Sequence, residues 1–140
     1  MPSDTKAGND CGLTILIVDD DPDMRFLARS VLERGGMHSS ICVSAEAADG
    51  PEALARLAEL EPPPVPTVIL LDNQMPGPSG LEIAEQILAT LPEQIIVLFS
   101  AYLNDEIEAQ AARLGVAACV SKSDALELPQ IIERVVADRR

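Results

Sequence analysis

The chain has 140 residues, 47% of them hydrophobic, which suits one domain with one core and leaves little room for a second. Its formal net charge of −13 disfavours non-specific binding to nucleic acid, whose phosphates it would repel, and points to proteins or cations as partners. With only Phe26, Phe99 and Tyr102 as aromatics, surfaces for stacking bases or a flavin ring are scarce, and no apolar run approaches the roughly 18 residues of a membrane helix.

Residues 1–12 read as a flexible N-terminal segment, and MPSDTKAGND lacks the basic-then-apolar build of a secretory signal, so a cytoplasmic protein is expected. Residues 13–18 form a continuous aliphatic run, typical of a strand covered on both faces. Asp21 followed by Pro22 makes a helix start, and Leu27, Ala28, Val31 and Leu32 recur at helical spacing until Gly35 and Gly36 stop it. Residues 40–45 read as a second, weaker strand, after which Asp49, Gly50 and Pro51 open a helix carrying Leu54, Leu57 and Ala58 on one side. The segment EPPPVP, residues 61–66, lacks the amide hydrogens that a helix or central strand needs and is therefore a connection. A third strand over residues 68–71 ends at Asp72, and the loop NQMPGPSG leads into a helix with Leu81, Ala84, Ile87 and Leu88 inward. Residues 95–99 make a fourth strand ending at Ser100; Asn104 or Asp105 then caps a helix through Ile107, Ala111 and Leu114 that Gly115 closes. Residues 116–120 make a fifth strand ending near Lys122. A last helix beginning around Glu127, with Pro129 in its first turn, buries Ile131, Ile132, Val135 and Val136.

Cys11, Cys42 and Cys119 are odd in number and scattered, and His38 is the only histidine. Neither a disulfide framework nor zinc-ligand spacing is present, so reduced, mostly buried thiols are expected.

Five strand-helix units with near-continuous apolar strands imply one doubly wound α/β domain, a parallel sheet with helices on both faces and right-handed crossovers. Ligands of such sheets bind beyond the carboxyl ends of the strands. Asp19 and Asp20 follow the first strand, Asp72 the third, Ser100 the fourth and Lys122 the fifth, so all five converge on one edge.

The acidic run VDDD divides into two kinds of carboxylate. Asp21 caps the first helix and Asp23 lies in its first turn, where the macrodipole favours negative charge. Asp19, Asp20 and Asp72 would instead form three packed carboxylates, which repel one another at low dielectric unless a proton or cation intervenes. All-oxygen ligands without soft donors point to Mg²⁺. Beside a hydroxyl and a lysine, such a site suits phosphoryl transfer to Asp72, with Lys122 and Ser100 binding phosphoryl oxygens.

Together, VDDD after the first strand, LLDNQMPGPSG around Asp72, FSAY after the fourth strand and SKSD after the fifth resemble the receiver domain of two-component response regulators. The resemblance runs over nearly the whole chain, with residues 13–138 as the domain, and implies the flavodoxin-like strand order 2-1-3-4-5. It implies that Asp72 is the phosphoacceptor, Asp20 a direct metal carboxylate, Asp19 a ligand acting mainly through water, and Gln74 a backbone-carbonyl ligand. Ser100 corresponds to the switch hydroxyl and Lys122 to the phosphate-binding lysine. Gln74 and Tyr102 occupy the two variable positions that influence access of the hydrolytic water. Such a domain catalyses its own phosphorylation and slow dephosphorylation but acts on no other substrate. The implied donor is a phosphohistidine on a sensor kinase or phosphotransfer protein, and the implied readout is the surface of the fourth helix, fifth strand and fifth helix. A downstream protein target and possible dimerisation on phosphorylation follow from the same resemblance.

Two positions depart from the family pattern. Ser123 follows Lys122 where proline with a cis bond is common, and a non-proline cis bond costs roughly 2.5 to 4 kcal/mol. Cys119 stands where an aromatic ring usually changes rotamer with the switch hydroxyl, leaving Tyr102 as a substitute gate. No output domain is expected in this chain, which reads as a stand-alone receiver or one cut from a longer regulator. Individually, an acidic pair, an Asp before a Pro-Gly loop, a Ser or a Lys is ordinary turn or surface chemistry; their joint placement at strand ends is not. A receiver-like scaffold that is never phosphorylated is the main alternative. An aspartyl-phosphate hydrolase would want a second acid where Gln74 stands, and an electron-carrier flavoprotein would want more aromatics.

Overall fold

Apolar runs alternate with amphipathic helices along the chain; the central runs become strands buried on both faces, while the two edge strands are only partly covered. The computed structural model describes residues 12–35, 41–60 and 66–139. The strands are β1 (Leu13–Val18), β2 (Ile41–Ala47), β3 (Val68–Leu71), β4 (Ile95–Ser100) and β5 (Ala118–Ser121). The helices are α1 (Pro22–Gly35), α2 (Gly50–Glu59), α3 (Gly80–Thr90), α4 (Asp105–Leu114) and α5 (Leu128–Arg139), with a 3-10 helix (Lys122–Glu127) between β5 and α5. All pairings are parallel and the sheet order is β2-β1-β3-β4-β5, as the sequence reading expects.

Strand alternation sends side chains to two cores. Ile15, Ile17, Leu70, Val97 and Phe99 pack with Ala28 and Leu32 of α1 and with Leu128, Ile132 and Val136 of α5. Leu16, Val18, Leu71 and Leu98 pack with Leu57 of α2, Ile83 and Ile87 of α3, and Ala111 of α4. Truncating a fully buried leucine such as Leu70 is expected to cost about 2–5 kcal/mol.

Local signals position the helices. Asp21 Oδ1 accepts the Asp23 N–H at 2.9 Å, Asp49 accepts from Glu52, and Asn104, not Asp105, accepts from Ile107 to start α4. Ser79 and Glu82 form a reciprocal capping box at α3. Gly115 ends α4 at φ 101°, a left-handed conformation that costs glycine little.

Several expectations need correction. The second strand extends to Ala47, and a register shift leaves Ser44 out of the ladder, its hydroxyl donating to Ile15 O at 3.2 Å. That bulge breaks the apolar alternation and explains why β2 reads weakly. On α2 it is Ala53, not Ala58, that is buried beside Leu57. Ile83 joins the inward face of α3, while Leu88 is only half-buried. The fifth strand starts at Ala118, two residues later than expected: the Val116 N–H still donates to Ala111 O of α4, and the Ala117 N–H makes the first bond to β4, at Ile96 O. On α5, Ile132 and Val136 are buried, whereas Ile131 and Val135 lie at its half-buried margin. Cys42 is disulfide-bonded and only Cys119 is free among the described residues, so the expectation of reduced thiols fails for Cys42. Pairing depends on separation in space, which chain spacing does not reveal. Cys11, Gly36, His38, Ser40 and residues 61–65 lie outside the described residues, as does the expected flexible segment apart from Gly12.

Candidate functional site

Register brings the strand ends together. Val18 pairs with Leu71, Leu71 with Leu98, and Ser100 with Ser121. The residues that follow, Asp19, Asp20, Asp72 and Lys122, therefore leave the sheet side by side, next to Ser100 at the end of β4.

Asp19 and Asp72 are each only 3% exposed, which is rare for carboxylates without a charge partner. Lys122 Nζ is that partner, 2.8 Å from Asp19 Oδ2 and 3.4 Å from Asp72 Oδ2. Carboxylate oxygens of Asp19, Asp20 and Asp72 all lie within 4.8 Å of one another, with Asp20 at the solvent side. Two buried acids thus share one ammonium, with a third carboxylate beside them. Burial pushes the Asp72 carboxyl above its ordinary pKa and the Asp19 charge adds to this; Lys122 and the Gln74 N–H oppose the rise without cancelling it. Burial alone would lower the Lys122 pKa, but hydrogen bonds and charges from Asp19 and then Asp72 outweigh it and hold the ammonium above its ordinary value.

The backbone fixes both buried acids. The Asp19 N–H donates to Ala47 O at 3.0 Å and the Asp72 N–H to Val18 O at 2.9 Å, each extending the sheet by one bond. Asp19 Oδ1 accepts the Asp21 N–H at 2.9 Å, and Asp72 Oδ1 accepts the Gln74 N–H at 3.3 Å. The loop after Asp72 closes on itself, because Asn73 Oδ1 accepts from Leu81 N at 2.9 Å while Asn73 O accepts from Gly80 N at 3.0 Å. Gly80 has to be small: a Cβ there would strike Asp72 O and stand 2.7 Å from Asn73 Cα.

Among the sequence-predicted residues, Asp19, Asp20, Asp72 and Lys122 come together directly. Ser100 reaches the same edge fully buried, its Oγ accepting the Tyr102 N–H at 3.3 Å. Gln74 touches Asp72 through its amide, and its side chain is exposed. The Tyr102 ring is 66% exposed and stands out from the site. Cys119 is half-buried against the second core, where burial and Glu108 raise its thiol pKa. With serine in place of proline after it, Lys122 still reaches both acids; the Ser121 hydroxyl accepts the Ser123 N–H at 3.3 Å where the 3-10 helix begins.

Sequence reasoning missed Arg25, whose Nη1 donates to Asp19 O at 2.6 Å. Its place one helical turn beyond the acidic run is the only signal the sequence carries for it. The donor set itself fits a hard divalent cation: oxygen ligands alone, two of three acids buried, and more negative charge than Lys122 can balance.

A parallel 2-1-3-4-5 sheet with buried aspartates and a lysine at its carboxyl edge defines a signalling domain of the receiver type. The family model "Response regulator receiver domain" matches residues 15–134, and the chain belongs to that family. It is 39% identical over 98 residues to a protein-glutamate methylesterase/protein-glutamine glutaminase of Hahella chejuensis, covering 69% of this chain and 26% of that protein. It is 28% identical over 104 residues to chemotaxis protein CheY of Thermotoga maritima, covering 74% of this chain and 80% of that one. Among solved structures, a LuxR-family two-component response regulator from Aurantimonas superposes with a TM-score of 0.81 at 32% identity, covering 91% of this chain and 87% of that one. The chain spans from about a quarter to under half of the length of the first curated relatives it matches. No described helix is long and apolar enough to cross a membrane.

Proposed function

We propose that this domain accepts a phosphoryl group from a phosphohistidine donor onto Asp72 and signals through a changed protein-interaction surface. The observation that carries the reading is the Lys122 ammonium bridging two buried carboxylates, one of them the acid at the end of β3. An oxygen of Asp72 attacks phosphorus, the phosphorus–nitrogen bond to the donor imidazole breaks, and the imidazole leaves with the electron pair and takes up a proton. Lys122 shifts from its carboxylate partners to pair with one phosphoryl oxygen, and the Ser100 hydroxyl binds another. Asp19, Asp20, Asp72 and the Gln74 carbonyl would hold Mg²⁺, which when bound supplies positive charge opposite the phosphoryl oxygens. Most of the rate then comes from positioning and electrostatics on this chain's own residues.

Phosphorylation adds about −1.5 to −2 charges at Asp72 and draws Ser100 and Lys122 inward. Movement of Ser100 carries Tyr102, whose N–H it holds, and the face of α4, β5 and α5 changes for a downstream protein. Partners of this reading are a sensor kinase or phosphotransfer protein, the downstream target, and a second copy of the chain on phosphorylation. The location in this reading is the cytoplasm.

The test is labelling by a small phosphodonor such as acetyl phosphate, with Mg²⁺ and with EDTA, followed by intact mass. One added phosphoryl group that requires Mg²⁺ and disappears in Asp72→Asn supports the reading. Parent protein that is never labelled by the small donor or by any phosphohistidine donor leaves a binding scaffold instead.

A further inference from the structure

Every polar group of Asp19 is engaged, and three of its four partnerships belong to the sheet or the site. Its N–H extends the ladder to Ala47, Oδ1 takes the Asp21 N–H, and Oδ2 takes Lys122. The fourth lies outside the site: Asp19 O accepts from Arg25 Nη1 at 2.6 Å. That carbonyl belongs to the peptide joining Asp19 to Asp20, so the guanidinium sets the plane from which the exposed Asp20 projects.

Arg25 is itself anchored. Its Nε donates to Glu46 Oε1 at 3.0 Å, while Arg29 Nε and Nη2 hold Glu46 Oε2, both at 2.8 Å. Arg56 Nε on α2 donates to Glu46 O at 3.2 Å. Glu46, near the end of β2, therefore ties α1 through its carboxylate and α2 through its main-chain carbonyl to the peptide between the two acids. The planar fork of Arg25 spans both acceptors, a task the single ammonium of lysine performs less well.

We infer that the Arg25–Glu46 pair is a positioning device that holds the Asp19–Asp20 peptide in the geometry needed to bind a divalent cation. The inference rests on the proposed cation site and adds to it a residue pair with no ligand contact of its own. Charge alone predicts the opposite sign. Arg25 carries a positive charge close to the acids, so removing it should tighten cation binding if electrostatics were its whole effect. Partners that orient ligating groups typically change metal affinity 10- to 100-fold when lost, on the order that would reverse this.

The experiment measures the dissociation constant of Mg²⁺ alone by calorimetry on the full chain, with urea unfolding alongside. Arg25→Met should weaken binding about tenfold or more. Glu46→Gln, which keeps the Arg25 charge and loosens its anchor, should weaken it several-fold, and Arg25→Lys should fall between Arg25→Met and the parent. Gln94→Met supplies the structural control: Gln94 is buried at the opposite end of β4, where Nε2 donates to Pro66 O at 2.9 Å. It should lose stability while its Mg²⁺ constant stays within about twofold of the parent, on the scale where one decade is 1.4 kcal/mol. Mg²⁺ bound by Arg25→Met as tightly as by the parent, or more tightly, overturns the inference; should that variant not fold, unchanged binding in Glu46→Gln does so. Parent protein that binds Mg²⁺ but is never phosphorylated sinks the proposed function and leaves this inference standing.

Discussion

Replacing Lys122 by methionine tests the electrostatic logic of the site most directly, because methionine keeps most of the stem and removes only the charge. The ammonium lies 2.8 Å from one carboxylate and 3.4 Å from the other, and its side chain is 16% exposed. At an effective dielectric of about 20 those distances give roughly 6 and 5 kcal/mol of gross attraction. Desolvating the three groups offsets much of this, and the measured cost of breaking buried pairs suggests a net loss of about 3 kcal/mol. Urea unfolding in EDTA at pH 7 should show that loss. At pH 5 the loss should shrink, because a proton on Asp72, whose carboxyl already sits above its ordinary pKa, substitutes for the missing cation. For the parent the sign is opposite at the alkaline end. The folded pKa of Lys122 is raised, so its contribution is complete below about pH 10.5 and fades as pH climbs through the folded value. Added Mg²⁺ should stabilise Lys122→Met more than the parent, since the ion then meets two unpaired acids instead of competing with an ammonium. A loss under about 1 kcal/mol at pH 7, or equal stabilisation of both proteins by Mg²⁺, would refute the reasoning.

Asp72→Asn should raise stability in EDTA at pH 7, since burial and the Asp19 charge hold the Asp72 carboxyl above its ordinary pKa and so disfavour its ionised form in the folded protein. That gain should shrink as pH falls through the raised folded pKa and vanish well below 3.8, where the parent carboxyl is protonated in both states, and a less stable Asn variant at pH 7 would count against the assigned shift. Gly80→Ala should destabilise by about 1–3 kcal/mol and slow phosphodonor labelling, because displacement of the Asp72 backbone away from the new methyl moves the acceptor; unchanged labelling would show that the loop adapts. A phosphoryl group on Tyr102→Ala should be lost faster than on the parent, read by mass against time, if the exposed ring limits the entry of water.

The fold was legible because burial on two faces leaves a mark in one dimension. The four aliphatic residues of β3 have no polar alternation, and the structure buries all of them. Caps were legible for the same local reason: Asp49 and Asn104 each satisfy an amide three residues on. The errors fall where local pattern and tertiary packing disagree. Ser44 bulges out of β2, and on α2 it is Ala53, not Ala58, that joins Leu57 in the second core, a choice between neighbouring alanines that composition does not specify. The 3-10 helix after Lys122 was missed because KSDALE carries no helical periodicity of its own and is held by packing of Ala125 and Leu128 into the first core.

The acids and the lysine of the site could be read because parallel topology turns position at the end of a strand into position at one edge. Arg25 could not be read that way. Its contribution is a bond to a main-chain carbonyl, and a main-chain carbonyl has no signature in sequence. On a helix, an arginine near several acids looks like a solvated charge; only coordinates reveal that its fork spans Asp19 O and Glu46. The same distinction explains why Ser123 does not displace Lys122. The family's proline acts on the backbone after the lysine, and here the Ser121 hydroxyl caps the turn that the proline would otherwise constrain. What has to be conserved physically is the ammonium between two buried acids, and more than one backbone solution delivers it.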